Sequence, residues 1–422
     1  MLDANRIPYG LVEAMSFPLV EAIRGRRSRR FARGATIPDG PLAFASRHAP
    51  EPLDPREQAL LLATVAGNTG WAELFAHHPR YGGRLPNYTT SPGGRSFPSS
   101  AGFNTSEFFF TDDSGVYFLP TRDMTPAGEA GDLNDWVERH RARIVKLADG
   151  RLALPAEEPH VEGHNTWCAN VPGSTLIFPV ADLAQHVILL LFYLVQNGTG
   201  IYDDINGRPI PGLDAYAHRL DLSVAAPLRF LEQIALTDVS VELGSACHTG
   251  ALMLQALGLG GWMYTGINAF SVFGASGDPK VPGLGFRFEM LEGDPLPHVT
   301  GLPGVFEAHV PPHHADMRAA VEAAAARKFG AGRPFDPKLG GPYRDNADVR
   351  AGAAPIDAEA VEITALMAEY VFRTFGRFPA TVPPVFLKMY LQAHRLDTEF
   401  YDRHHVEGGY LHTHASHDAN WG

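Results

Sequence analysis

The chain has 422 residues, 45% of them hydrophobic, with 35 basic and 47 acidic side chains and a net charge of −12. That length suits one large elaborated domain or two to three ordinary ones, and the apolar fraction is enough to fill a core. The acidic balance argues against general nucleic-acid or anionic-membrane binding, since both reward a basic surface. The longest apolar run, residues 187–195, is too short to span a bilayer, and no secretory leader pattern opens the sequence, so the expected location is cytoplasmic. The two cysteines, Cys168 and Cys247, form no metal or redox motif.

In chain order, residues 1–19 read as an N-terminal arm, and a helix begins over 17–23 with Leu19, Val20 and Ile23 on one side. It runs into Arg24-Gly25-Arg26-Arg27-Ser28-Arg29-Arg30-Phe31, an arginine cluster in an otherwise acidic chain. A guanidinium fork pairs two donors with two phosphate oxygens, so the cluster suits a phosphate; a solvated basic turn is the alternative. Residues 54–65 predict a helix burying Leu60, Leu61, Leu62 and Val65. Pro98-Ser99-Ser100-Ala101-Gly102 is a small-residue loop, followed by strands over 107–110 and 116–119 around an Asp112–Gly115 turn. A further buried helix is expected over 187–195, and Asp203 and Asp204 sit in a glycine-rich loop that suits a substrate, a cation or a plain surface turn.

Residues 238–266 read as one buried helix running into one buried strand. Val239, Leu243, Ala246, Cys247, Gly250, Ala251, Leu254 and Leu257 recur at helical spacing. Asp238 is the expected N-cap and Gly258 the left-handed stop. Gly244, Ser245 and Gly250 leave room for another helix to approach. The strand over 262–265 ends at Gly266, and residues 283–288 are expected to be the next core strand. A plain core helix and strand is the alternative. Beyond residue 300, helices are predicted over 315–329, 357–375 and 384–401. His412, His414 and His417 stand in a histidine-crowded tail. Imidazoles are common zinc or iron ligands, but a polar tail packed on a partner subunit is the favoured reading, with no metal.

Three of these stretches, in this order, resemble the FMN-dependent nitroreductase family. They are Arg26-Arg27-Ser28-Arg29-Arg30-Phe31, the loop Pro98–Gly102 leading to Glu107-Phe108-Phe109, and the 238–266 helix and strand. The loop is closest to that of the thiazoline and oxazoline dehydrogenase branch. The resemblance implies an α+β, nitroreductase-like fold and a homodimer with FMN at the subunit interface. It implies a core over 20–119 and 231–295; outside the match, 120–230 reads as an insertion large enough to cover a flavin, and 296–422 as a helical C-terminal extension. Arg26, Arg27, Ser28 and Arg30 would hold the FMN phosphate and ribityl chain, leaving Arg29 outward, with Arg377 as a further phosphate candidate. Pro98, Ser99 and Ser100 would line the flavin from the partner subunit. Asn104 stands where the dehydrogenase branch tends to carry tyrosine, and Thr265 and Gly266 would lie near the reactive nitrogen. The implied activity is hydride transfer through flavin N5, from NAD(P)H to a nitro compound, quinone or similar acceptor. The alternatives are a dehydrogenase of a peptide-derived or amine-like small-molecule substrate, and a non-catalytic flavin- or metal-binding partner subunit.

Overall fold

The computed structural model describes residues 9–71, 93–122, 124, 132–334, 336, 338–341, 343–345 and 356–421. Its core is an antiparallel sheet of β1 (Ser106–Asp112), β2 (Gly115–Leu119), β3 (Val145–Asp149), β4 (Thr175–Asp182), β5 (Gly260–Tyr264), β6 (Val385–Phe386) and β7 (Tyr390–His394). The order is β5-β7-β4-β1-β2-β3, with β6 also paired to β4. Side chains alternate across a strand, and both faces here are covered. Phe109 and Phe178 enter one apolar core, with the helix Leu183–Gln196 and the helix Ala358–Phe375. Phe108, Phe110 and Ile177 enter the other, with the helix Pro55–Ala66. That helix is started by a capping box, in which Asp54 and Glu57 each accept from the other's end of the first turn.

The central helix spans Leu228–Leu257, 30 residues, and ends at Gly258 in the left-handed conformation (φ 74°). It starts at Leu228 behind Pro227, so the expected cap Asp238 lies inside it, its carboxylate 3.3 Å from His186 Nε2. Its first half packs in one core and its second half in the other. Gly250 faces inward, because a Cβ there would sit 2.4 Å from Leu391 and 2.5 Å from Val65. A Cβ on Gly244 would meet nothing, and the nearby Val241 is 54% exposed.

Several expectations are corrected. The stretch 120–230, expected as an insertion, supplies β3 and the fully buried β4. The C-terminal region, expected to be helical, supplies β6 and β7, and β7 is the neighbour of β5. Residues 384–401 hold those two strands before the helix Thr398–His404 begins. Residues 283–288 do not form a core strand: Gly283 and Gly285 have positive φ, and the exposed strand Arg287–Glu289 pairs with His298–Leu302 in a separate small sheet. On the helix Leu19–Gly25, Leu19, Val20 and Ile23 are 65%, 64% and 56% exposed, while Ala22 is buried. Among the described residues, no helix is long and apolar enough to cross a membrane.

Candidate functional site

The arginine cluster is not helical. The helix Leu19–Gly25 stops, and Arg26 leaves it in extended conformation (φ −61°, ψ 119°). Arg29 then bridges to Gly261 of β5, whose N–H donates to the Arg29 carbonyl at 2.8 Å. The expectation that Arg29 points outward is overturned. It is 2% exposed and donates to Gln255 Oε1 (2.7 Å) and to the carbonyls of Gly25 and Gly409 (both 3.1 Å). Burial without a carboxylate lowers its pKa to about 10. Arg29 therefore ties the segment to the central helix.

Its neighbours differ. Arg30 lies over the Trp262 ring at 5.4 Å and donates to Asn165 Oδ1 at 3.2 Å. Arg27 is exposed and rests on the carbonyls of Arg24 and Arg26. The half-buried Arg26 and exposed Ser28 have no side-chain partner among the described residues. Arg26, Arg27 and Arg30 thus have no carboxylate partner there, whereas Arg33, Arg56, Arg151, Arg229 and Arg318 each have one.

Trp262 lies on β5, which ends at Tyr264. Beyond Tyr264, Thr265 is exposed, and the Gly266 carbonyl accepts from Glu162 N–H at 3.0 Å. A Cβ on Gly266 would lie 2.3 Å from Asn165 Nδ2 and 3.2 Å from Glu162 Oε2, so a side chain there would displace the Asn165 amide. Asn165 therefore touches both Arg30 and the Gly266 backbone.

Thr265 lines a cleft of about 660 Å³, together with Phe270, Phe273, His298, Arg377 and Phe386. Arg377 donates to the Ala380 carbonyl at 2.7 Å and pairs with Asp294. Asp294 is held below the usual carboxylate range by the Leu296 N–H it accepts and by Arg377. Glu232, buried on the central helix, accepts from Ala380 N–H (2.7 Å) and Thr381 N–H (2.6 Å), fixing this wall; burial pushes its carboxyl up. Burial also lowers the pKa of His298. His298, Lys388, Glu162 and Asp294 carry no local motif, and none is legible in the sequence as a site residue. Arg377 is in this cleft, whereas Arg26, Arg27, Ser28 and Arg30 are not among the residues lining it.

The serine loop docks elsewhere on the central helix. Ser99 Oγ donates to buried Glu242 at 2.5 Å and accepts from Asn104 N–H at 2.9 Å. The other Glu242 oxygen accepts from Ser106 N–H at 3.0 Å. Asn104 is buried, has φ 50° and donates its amide to the Gly102 carbonyl at 2.9 Å, so it shapes the turn. Pro98 and Ser100 are exposed. Glu242 and Gln255, the anchors of this loop and of Arg29, are 13 residues apart on one helix, about 20 Å along its axis.

The tail histidines do not converge. His412 packs against Phe17, with ring centroids 5.5 Å apart. Burial pushes His414 down to about 3, and its Nδ1 accepts from Leu411 N–H at 3.1 Å. His417 Nε2 is 2.5 Å from Glu57 Oε1. Their helix, His412–Trp421, packs on this chain's own central helix, where Thr413 donates to the Gln255 carbonyl at 2.7 Å. A separate trio, His48, Asp397 and Glu399, brings its ligand atoms within 4.8 Å. There Asp397 already accepts from Ser46 and Phe400 N–H, and Glu399 from Arg47. Asp203 and Asp204 are likewise engaged, by Tyr370 and Asn206 and by Arg229.

No protein-family model matches the chain, and no curated protein matches it. Among solved structures, a "putative nitroreductase" from Ralstonia eutropha JMP134 is similar over 60% of this chain and 71% of its own, at 13% identity and a TM-score of 0.28. Similarity of that degree assigns neither the fold nor the function.

Proposed function

We propose that the chain is an FMN-dependent oxidoreductase of the nitroreductase kind, acting as a homodimer. The observation that carries this reading is the set of guanidiniums at Arg26, Arg27 and Arg30, uncompensated by any described carboxylate in a chain of net charge −12. A phosphate monoester carries nearly two negative charges near neutral pH, and guanidinium forks match its oxygens. With Ser28 as hydroxyl donor, these side chains fit an FMN phosphate and ribityl arm. Bound FMN would supply hydride transfer at its N5, taking electrons from NAD(P)H and passing them to a nitro compound or quinone.

The remaining roles belong to the chain. Asn165 couples Arg30 to Gly266, so the phosphate arm and the end of β5 are held in one arrangement. Exposed Thr265 offers a hydroxyl beside the ring, and buried Gly266 backs it against Asn165. The cleft admits the substrate, with His298, whose pKa burial lowers, in its wall. Ser99 and Ser100 lie about 20 Å along the helix from the arginine anchor, so the partner's copy of that loop would complete each site. The exposed Leu19, Val20 and Ile23 on one short helix, and Val241 on the central helix, are apolar positions available to such a dimer. A flavin dehydrogenase of an amine-like substrate is the second reading, favoured by the exposed Glu162 carboxylate in the cleft.

Absorbance and titration calorimetry test the proposal. Purified protein should show an oxidised-flavin spectrum, or acquire it with added FMN, and should bind riboflavin far more weakly. A hydrogen bond to a charged group contributes roughly 1.5–3 kcal/mol, so Arg26→Gln, Arg27→Gln or Arg30→Gln should weaken FMN by about ten- to a hundredfold. Riboflavin binding should hardly change. A colourless protein that takes up neither flavin, or equal affinity for both, would overturn the assignment.

A further inference from the structure

We propose that the cleft beneath Thr265 binds a small amphoteric ligand with an aromatic body, its ammonium group on Glu162 and its carboxylate on Lys388. Two carboxylate and two strongly basic side chains line the cleft: Glu162, Asp294, Arg377 and Lys388. Asp294 and Arg377 pair with each other, and Arg377 is further fixed by the Ala380 carbonyl. Glu162 and Lys388 remain. The Glu162 carboxylate is 61% exposed and has His164, 3.7 Å away, as its ion-pair neighbour. Lys388 is exposed and has no side-chain partner among the described residues.

Both residues flank the end of the same strand pair. The Glu162 carboxylate stands over Gly266. The antiparallel register of β5 and β7 closes at Tyr264 opposite Tyr390, so the chains leaving it carry Thr265 and Gly266 on one side and Met389 and Lys388 on the other. Phe270, Phe273, Val382 and Phe386 supply apolar walls. The cleft, about 660 Å³, is in the usual range for a small-molecule site. An acid and a base that share a cleft without pairing form a field complementary to a ligand carrying both charges. That this ligand is turned over rests on the flavin reading. That it binds does not, and the experiment reads binding alone.

Titration calorimetry on the full chain compares L-phenylalanine, N-acetyl-L-phenylalanine, which lacks the ammonium, and L-phenylalaninamide, which lacks the carboxylate. Exposed ion pairs contribute up to about 1 kcal/mol, so each blocked probe should bind about fivefold more weakly than phenylalanine. Lys388→Gln should abolish the gap between phenylalanine and its amide and leave the N-acetyl gap intact. Glu162→Gln should do the reverse. Both side chains are exposed, so unchanged melting curves will show that folding is intact. Any other ranking of the probes, gaps that persist in both variants, or no binding up to the solubility limit would overturn the proposal.

Discussion

Three buried histidines make stability depend steeply on acid. Burial lowers His309 and His394 from 6.5 to about 4, and His414 to about 3. Backbone contacts at Arg29 for His394, and at Leu411 and Leu259 for His414, favour the charged form, but burial outweighs them. For His309 the nearby Asp182 carboxylate favours the charged form, yet desolvation outweighs it. The unfolded chain binds a proton at each site near pH 6.5, and the folded chain only near pH 4 or below. Between these values the unfolded state holds more protons, so stability is fully present above pH 6.5 and is lost as pH falls towards 4. At pH 5 each site costs about 2 kcal/mol, and the three together about 6 kcal/mol. That is a large part of the roughly 5–15 kcal/mol that holds a typical fold. Urea denaturation at pH 7.5, 6.5, 5.5 and 5 measures the slope, to which these three sites should contribute an uptake of about three protons on unfolding, with His140 and His298, also lowered by burial, adding to it. His394→Leu and His414→Leu should each remove about one proton from that slope, whatever they do to stability at pH 7.5. A flat stability profile from pH 7.5 to 5, or an unchanged slope in both variants, would refute the reasoning.

Other outcomes follow from particular contacts. Arg29→Ala should lower stability by on the order of 3 kcal/mol by leaving Gln255 and two carbonyls without a donor, measurable by denaturant titration. Gly250→Ala should destabilise by about 1–3 kcal/mol, because its Cβ would collide with Leu391 and Val65. Gly244→Ala, where a Cβ meets nothing within the chain, should stabilise an isolated chain by about 0.5–1 kcal/mol. A larger residue there, Gly244→Leu, should weaken the proposed dimer in analytical ultracentrifugation; an unchanged dimer would remove this helix face from the interface. Deleting 412–422 should lower the melting temperature, since it strips the partner of buried Glu57, whereas a chelator should leave any activity unchanged.

What was legible in the sequence was what is local. The helix expected over 54–65, the Phe108–Phe110 strand with its turn at Asp112, the helix expected over 357–375 and the stop at Gly258 all rest on neighbours a few residues away. The missed core strands β4 and β7 share one physical cause. A strand buried on both faces has no polar alternation, so Tyr390–His394 reads as well as part of a helix as it does as a strand. Its identity is set by the hydrogen bonds it exchanges with β5 and β4, which are remote in sequence. The same holds for β4, whose eight buried residues give no period to read.

The arginine cluster shows how tertiary contacts divide one local motif into different roles. In sequence, Arg26, Arg27, Arg29 and Arg30 are equivalent cations. In the fold, Arg29 pairs its backbone with Gly261 and sends its side chain to Gln255, and that fixes the segment in place. With Arg29 committed inward, Arg30 is left over Trp262, reaching Asn165 and through it Gly266, while Arg26 and Arg27 keep their charge uncompensated. The residue that appears least useful for binding is thus the one that positions the others. Arg29→Lys keeps the charge but cannot reach three acceptors with one fork, so it should loosen the segment. If Arg26, Arg27 and Arg30 form the phosphate clamp, FMN affinity should fall in Arg29→Lys although all three remain, and the FMN-over-riboflavin preference should narrow in calorimetry. An Arg29→Lys protein with undiminished preference would show that the clamp does not depend on this anchor.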